Sequence, residues 1–554
     1  MRGKQVLMES LIAQGVSFIF GNPGTTESPL IDSLIDYPQL RYILALHEGV
    51  ALGAASYYAQ ASGKIGVVNV HVAPGLGNAL GMLYDALKAN SPLLVTAGQQ
   101  DTRLRLRNPL LGHDLVAMAA PLTKWSVQAE RADELALLLH RAFKVANDPP
   151  AGPVFVALPI DVLEQETEVA AIPPGAMYPN GPADPSGLEK AAALLLERER
   201  PVIVVGDDVA RLCAGEEVLA LAVALGAPIW CEGVHLHAAL PSGHANFRLG
   251  LPFDAQSLRK ALNGSDLVLL VGGPFFEEVW FTPGSPFPDQ AVVIHLEETP
   301  ARLTGNHGVH VGLVGELKSV LRGLRSAVET GASSRFREAA NQRNQTLRSL
   351  KEEESAKQRS RAQKRWDRHP ISLPRLMAEI EAALPEDAVI VDESISASLD
   401  LARTVSLRGP GDYYGARGGG IGQALPGALG VKIAHPQRPV VAISGDGSAM
   451  YSIQALWTAA HHDLAIVFVI LNNREYRILK HNMDRYRQLF GVNPAHAYPG
   501  MDLRKPELNF VDLARGLGVE GTRVAAPAEL KPALARALAS PQPYLLDISI
   551  EGKG

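Results

Sequence analysis

Short apolar runs, each closed by glycine, proline or a polar corner, alternate along this chain with stretches whose apolar residues fall three and four apart. The first pattern predicts buried strands and the second amphipathic helices. KQVLMESLIAQG predicts a helix, VSFIFGNPG and RYILAL strands, and a helix opens at Glu48; IGVVNVHV, a helix after GLGN, PLLVTAG and GPVFVALPID follow. Residues 1–170 therefore read as a doubly wound parallel α/β domain. IPPGAMYPNGPADPSG, dense in proline and glycine, predicts a linker. PVIVVGDDVA, LVLLVGG and AVVIHLEE mark a second α/β domain over 186–327, and DAVIVDES, RPVVAISGDG, LAIVFVIL and PYLLDISIEG a third over 370–554. Between them, over 328–369, SSRFREAANQRNQTLRSLKEEESAKQRSRAQKRW is polar throughout. It predicts a solvated connecting helix, with nucleic-acid binding as the weaker second reading. The fold class is α/β, with three doubly wound parallel-sheet domains.

Composition narrows the picture. At 554 residues the chain exceeds what one core organises, and about three domains is the natural expectation. Hydrophobic residues make up 47% and charged residues 20%, as in ordinary globular enzymes. A net charge of −6 gives no electrostatic reason for nucleic acid or an anionic membrane as partner. The two cysteines, Cys213 and Cys231, suit a reducing cytoplasm and lack metal-site spacing. MRGKQVLMESLIAQG reads as a helix containing acid rather than a signal peptide, and no run approaches the ~18 apolar residues of a membrane span. A cytoplasmic protein is expected.

GDGSAMYSIQALWTAAHHDLAIVFVILNN, residues 445 to 473, carries the chemistry. A strand ends at Gly445, SAMYSIQALWTAAHH has helical spacing with Met450, Ile453, Leu456 and Trp457 on one face, and a second strand ends at Asn472 and Asn473. In such a βαβ unit both strands end on one sheet edge, where open α/β sheets bind ligands. The Asp446 carboxylate and an Asn473 amide oxygen then suit a small hard cation carrying a diphosphate. The bland alternative is a strand–turn–helix with solvated polar corners.

GDG followed by NN, with Asn473 lying 27 positions after Asp446, resembles the thiamine-diphosphate and magnesium signature of the thiamine-dependent decarboxylase and carboligase superfamily. The resemblance covers essentially the whole chain and implies the domain order pyrimidine-binding, central, diphosphate-binding. It implies Mg2+ on Asp446, Asn473 and the carbonyl of Glu475, with Gly445, Gly447, Ser448 and Tyr476 among the thiamine diphosphate contacts. ESISAS adds Ser394, Ser396 and Ser398 as candidate diphosphate contacts.

Thiamine chemistry also needs a carboxylic acid on the far pyrimidine nitrogen, so that the exocyclic amine can deprotonate thiazolium C2. An apolar setting that raises its pKa serves this best. RYILALHEG resembles the family's glutamate segment and assigns Glu48; an acid in a helix's first turn is also a common cap. GARGGGIGQALPGALG, residues 415 to 430, is similar to the segment that bends the cofactor: Gly419 would offer its carbonyl to the amine, and Ile421 would wedge beneath the rings. A dinucleotide fingerprint fails there because Leu425 holds the third glycine position.

FGNPGTTESPL, ILALHEG, NVHVAPGLGNALG, SPLLVTAGQQ and PLTKWS look most like the benzoylformate decarboxylase branch. That implies decarboxylation of a 2-oxo acid to an aldehyde, with Thr25 on the substrate carboxylate and His71 transferring protons; capture by a second aldehyde would give a 2-hydroxy ketone. The chain departs from the branch at Val279, where a second histidine is expected, with Glu277 and Glu278 nearby. It departs again at Gly415 and Asn482, where phenylalanines are expected, and this implies weak benzoylformate turnover. Arg417, Arg477, Lys480 and His481 read as basic groups near the pocket mouth, each most simply a solvated surface charge. Alternatives are an acetolactate-synthase-like enzyme or a 2-hydroxyacyl-CoA lyase/oxalyl-CoA decarboxylase-like enzyme, whose central domain would bind FAD or a CoA nucleotide. A non-catalytic subunit on the same fold is a third. The superfamily's geometry implies a homo-oligomer, dimer or tetramer, with Glu48 and Asp446 of one site on different chains.

Overall fold

The computed structural model describes residues 1–176 and 181–552. These form two compact units. The first takes Met1–Ala176, Asp367–Ser398 and the chain from Ala416 onward; the second runs from residue 181 to Trp366 and adds Leu399–Gly415. Part of the expected linker, residues 177–180, lies outside the described residues.

The first unit holds a parallel sheet of β1 (Phe18–Gly21), β2 (Arg41–Leu44), β3 (Gly66–Val70), β4 (Leu93–Gln99), β5 (Trp125–Gln128) and β6 (Pro153–Pro159). Their order is β2-β1-β3-β4-β6-β5. The central strands β3 and β6 are buried along their whole length, which is why they read as unbroken apolar runs rather than alternating ones. In the second unit, β7 (Pro201–Val205), β8 (Ile229–Cys231), β9 (Phe247–Gly250), β10 (Leu267–Val271), β11 (Val292–Glu297) and β12 (Val311–Val314) run parallel in the order β12-β11-β10-β7-β8-β9. Of the last group, β13 (Val389–Glu393), β15 (Val440–Gly445), β16 (Ile466–Asn472), β17 (Glu520–Val524) and β18 (Tyr544–Ser549) belong to the first unit and run parallel as β13-β15-β16-β18-β17. The short β14 (Tyr413–Gly415) belongs to the second unit, where Tyr414 bridges to His237.

The charged run forms one helix, Ser334–Lys364. It is solvated on one side only. Ala340, Asn344 and Leu347 are buried, Asn344 accepts from Asn246 at 2.9 Å, and the Leu347 carbonyl accepts from buried Arg248 at 3.1 Å. No helix among the described residues is long and apolar enough to cross a membrane.

Within the first unit the two sheets are joined through the helices Glu48–Ser62 and Ala424–Ala434. Glycines set their separation. A Cβ on Gly53 would come within 2.9 Å of Pro426 Cγ, one on Gly427 within 2.9 Å of the Tyr57 ring, and one on Gly430 would strike the Ala54 carbonyl oxygen. Two expectations need correction. The helix that carries GLGN begins earlier, at Val72, with His71 as its N-cap residue. The expected helix after Gly447 is two short ones, Asp446–Ala449 and Ala455–His461. Between them Tyr451, Ser452, Ala455, Leu456 and Trp457 each donate to the carbonyl three residues back, in successive tight turns. These turns press Tyr451 against Gly422 and leave Met450 exposed, so Met450 drops out of the apolar face read from the spacing, while Leu456 stays buried.

Candidate active site

β15 and β16 are neighbours in register, Gly445 opposite Leu471, so their polar corners emerge together. Asp446 is buried; its carboxylate accepts from its neighbour Gly447 N–H at 2.8 Å and from Arg474 N–H at 2.6 Å, which ties the two corners directly. Burial pushes Asp446 up to about 6, and the Asp547 carboxylate within β18 adds to the rise. Asn473 Oδ1 accepts from Glu475 N–H at 2.9 Å, and Asn472 donates to Asp547 at 2.9 Å. Among the described residues no three His, Cys, Asp or Glu side chains converge as a metal cluster. The donor set here is of another kind: one carboxylate, one amide oxygen and one backbone carbonyl. That all-oxygen set fits magnesium, and two buried carboxylates sharing one corner favour a cation there. A Cβ on Gly445 would find nothing nearer than Ser448 Oγ at 3.9 Å, which leaves space for a phosphate beside the corner.

The Glu475 side chain is buried and ion-paired with Lys480, whose ammonium lies 5.7 Å from the centre of the Tyr498 ring. Lys480 and Arg417 are therefore buried, contrary to the solvated reading, while His481 is exposed.

Glu48 opens the helix Glu48–Ser62, whose N-cap His47 accepts from Gly49 N–H at 3.0 Å. Glu48 is buried and accepts from the Asn78 amide at 3.0 Å. A Cβ on Gly75 would come within 3.0 Å of the same carboxylate. The Tyr42 hydroxyl is buried without a partner among the described residues, and burial, then the Glu27 and Glu48 charges, push its pKa well up.

Glu27 is the main group that sequence reasoning passed over. Its side chain is fully buried. It accepts from Gly24 N–H at 2.9 Å, Gly98 N–H at 2.8 Å, the Thr26 hydroxyl at 2.9 Å and His71 Nδ1 at 2.7 Å. Gly24 and Gly98 have no room for a side chain against this pair. His71 therefore has Nδ1 committed to Glu27, the arrangement of a carboxylate-oriented imidazole. Thr25 is exposed beside the pair. Thr26 is the threonine whose hydroxyl lies 3.3 Å from His71.

The loop Gly418–Gly422 is left-handed at Gly418, Gly419 and Gly422, with φ of 91°, 88° and 98°; only glycine adopts this cheaply. Glu393, at the end of β13, accepts from Gly422 N–H at 2.6 Å and Ala424 N–H at 3.0 Å. Burial pushes Glu393 up to about 7. Ser394 follows it, with its hydroxyl 3.2 Å from that of Ser398; Ser396 is half-buried. Ile421 is half-buried and Gly419 has open space around its Cα.

The residues at the departures fall in both units. Gly415 and Val279 belong to the second, where a Cβ on Gly415 would meet the His235 carbonyl at 2.6 Å and Val279 is 68% exposed. Asn482, half-buried, belongs to the first.

Three paired features define a class: a carboxylate–amide corner, a buried glutamate at a helix start, and a left-handed glycine loop on parallel sheets. Comparison with known families agrees. The N-terminal thiamine pyrophosphate binding domain of thiamine pyrophosphate enzymes matches residues 1–118, their central domain 188–324, and their C-terminal binding domain 396–548. The benzoylformate decarboxylase of Pseudomonas aeruginosa is 34% identical over 544 residues, 98% of this chain and 97% of that protein. A chloroplastic acetolactate synthase of Arabidopsis thaliana is 27% identical over 99% of this chain and 81% of its own length. The solved thiamine diphosphate-dependent 4-hydroxybenzoylformate decarboxylase of Rhodococcus jostii RHA1 superposes with a TM-score of 0.85 at 30% identity, covering 100% of both chains. The benzoylformate decarboxylase of Polynucleobacter necessarius gives 0.86 at 26%, covering 99% of this chain and 98% of its own. The chain belongs to the thiamine pyrophosphate enzyme family. It is a thiamine-diphosphate-dependent enzyme of the decarboxylase and lyase type, and the fold class and family expected from its sequence are borne out.

Proposed function

We propose that this enzyme is a magnesium-dependent 2-oxo-acid decarboxylase that releases an aldehyde and can also join that product to a second aldehyde. The observation that carries the reading is the buried Asp446–Asn473 corner, supported by Glu48 held against Asn78. Asp446, Asn473 and the Glu475 carbonyl would hold Mg2+, with the diphosphate beside Gly445, Gly447, Ser448 and Tyr476 and within reach of Ser394, Ser396 and Ser398. Gly419 and Ile421 would hold the pyrimidine. When bound, thiamine diphosphate supplies the electron sink for carbon–carbon cleavage.

The chain's own groups manage protons and orientation. Glu48 holds a proton at the far pyrimidine nitrogen. The Thr25 hydroxyl orients the substrate carboxylate. His71 moves protons through Nε2, because Glu27 holds Nδ1 and stabilises the charged ring. The second histidine expected in the central domain is replaced by exposed Val279; slower proton delivery would favour capture by aldehyde.

The substrate of this reading is a 2-oxo acid smaller or more polar than benzoylformate. Gly415 cannot be replaced by a ring without displacing the His235 carbonyl and Tyr413, and Asn482 offers an amide where the branch has a phenylalanine. A homo-oligomer completes the reading, with each site drawing Glu48 and Asp446 from different chains in the cytoplasm. Two free cysteines, Cys213 and Cys231, agree with that compartment. A panel of 2-oxo acids, assayed with and without added aldehyde, tests it. Turnover of small or polar acids with hydroxy-ketone formation is expected; efficient benzoylformate turnover without any hydroxy ketone would overturn the assignment.

A further inference from the structure

The helix Val72–Lys88 presents three polar groups seven residues apart: His71 at its N-cap, Asn78 and Asp85. A seven-residue step returns to nearly the same helix face. Along that face His71 meets Glu27, Asn78 meets Glu48, and Asp85 accepts from Gly420 N–H at 3.0 Å. The first two serve the proposed proton groups. Asp85 has no such explanation, and everything local opposes it. The side chain is buried, its one hydrogen bond among the described residues is to Gly420, and an unpaired buried carboxylate is costly. It stands in the last turn of its helix, where a negative charge meets the unfavourable end of the helix dipole. The Glu393 carboxylate, on the far side of the same loop, repels it.

What Asp85 gains is the loop. Cβ atoms on Gly418 or Gly420 would collide with its carboxylate, so both glycines are moulded around it. Asp85 holds one end of the left-handed segment, and Glu393 the other through Gly422 and Ala424. Gly419 and Ile421 lie between the two anchors. We infer that Asp85 is a positioning residue, which sets the Gly419 carbonyl and the Ile421 side chain for the pyrimidine ring of the bound cofactor. The inference rests on the roles proposed above for Gly419 and Ile421.

The test compares Asp85→Ala, Asp85→Asn and Glu48→Gln as magnesium–thiamine diphosphate complexes, by hydrogen–deuterium exchange at C2 of the bound cofactor and by thermal midpoint of the apoprotein. Asp85→Ala should slow exchange about three- to tenfold, the effect of losing one hydrogen bond, without lowering the apoprotein midpoint. Asp85→Asn, which keeps an acceptor, should recover most of that rate. Gly420→Ala, which drives a Cβ against the same carboxylate, supplies the same displacement should Asp85→Ala not fold. Wild-type exchange in Asp85→Ala, or in Gly420→Ala if it stands in, overturns the inference, and so does an asparagine variant as slow as alanine. Unimpaired exchange in Glu48→Gln would instead overturn the reading of the site, and the inference with it.

Discussion

Gly430→Ala sets two opposed effects against each other in one residue. Gly430 lies inside the helix Ala424–Ala434, and on intrinsic helix propensity alone alanine should stabilise by ~1 kcal/mol. Packing argues the other way. The new Cβ would fall 2.6 Å from Tyr58 N and 3.0 Å from the Ala54 carbonyl carbon, with the Ala54 oxygen nearer still. Optimal carbon contacts lie at about 3.5–4.0 Å. Both clashing groups are backbone within the helix Glu48–Ser62, so no rotamer change relieves them. The helices must part by on the order of 1 Å, which also loosens Gly53 against Pro426 and Gly427 against Tyr57. Overpacking of this kind costs roughly 1–3 kcal/mol, occasionally more, and the backbone contact at Ala54 sets it at the upper end, so a net loss of up to about 2 kcal/mol is expected. The consequence reaches function, because one helix carries Glu48 at its first position and the other follows directly from the Gly418–Gly422 loop. Thermal denaturation should show a lower midpoint, and calorimetric titration a weaker affinity for thiamine diphosphate. A variant more stable than wild type, with unchanged cofactor affinity, would refute the close helix packing on which the site rests.

Asp446→Ala should abolish magnesium-dependent thiamine diphosphate binding, read by calorimetric titration of cofactor with and without Mg2+, since it removes the one charged ligand of the corner. Glu48→Gln should bind cofactor normally yet lose about 10²–10⁴ of turnover, the usual range for a proton-transfer group; single-turnover kinetics on the loaded enzyme checks it. Glu27→Gln should lower activity roughly 10–100-fold, the worth of a hydrogen bond to a charged group, as read by steady-state kcat with cofactor affinity unchanged. Glu393 is raised from 4.5 to about 7 by burial, so the folded protein binds the extra proton between those values. The stabilising contribution of this group is complete below about 4.5 and is lost as pH rises towards 7. Urea denaturation of the apoprotein should show the Glu393→Gln variant gaining stability relative to wild type across that window; a constant difference would put the carboxyl's pKa near its ordinary value.

What the sequence revealed was local. The Asp446–Asn473 corner was legible because each residue immediately follows a strand whose apolar run is unmistakable, and parallel neighbours must end on one edge. Glu48 was legible because a strand, an acid and a run of small residues follow one another within a few positions. The Glu27–His71 pair was not, since its members stand 44 residues apart and meet only because β1 and β3 are adjacent in the sheet. Asp85 looked like any polar residue late in an amphipathic helix, and its partner Gly420 is 335 residues away. The charges of Lys480 and Arg417 misled for a related reason: a lysine reads as solvated until a buried Glu475 is found beside it. Periodicity misled once, at Met450, where contact with the Gly418–Gly422 loop overrode the helical spacing.

Backbone strain marks three of the strand ends that carry candidate site residues. Val72, Ile395 and Arg474 have left-handed φ values of 41°, 47° and 59°. Each immediately follows a candidate site residue at the end of a strand: His71 after β3, Ser394 after β13, Asn473 after β16. Left-handed conformations cost non-glycine residues roughly 1–2 kcal/mol, and Val72, being β-branched and buried, is among the poorest choices for one. Among the described residues ten non-glycines have left-handed φ, and the other seven, Asn90, Asn108, Leu111, Cys213, Phe276, Thr304 and Asp463, lie elsewhere. At these three corners it recurs in two separate sheets, always one residue past a candidate site side chain. A sharp turn at that place ends the strand abruptly while the preceding side chain still projects from the sheet's carboxyl edge. In β16 the same turn aims Arg474 N–H at Asp446. The strain is therefore coupled to the hydrogen bond that joins the Asp446 and Asn473 corners, and relaxing one should loosen the other.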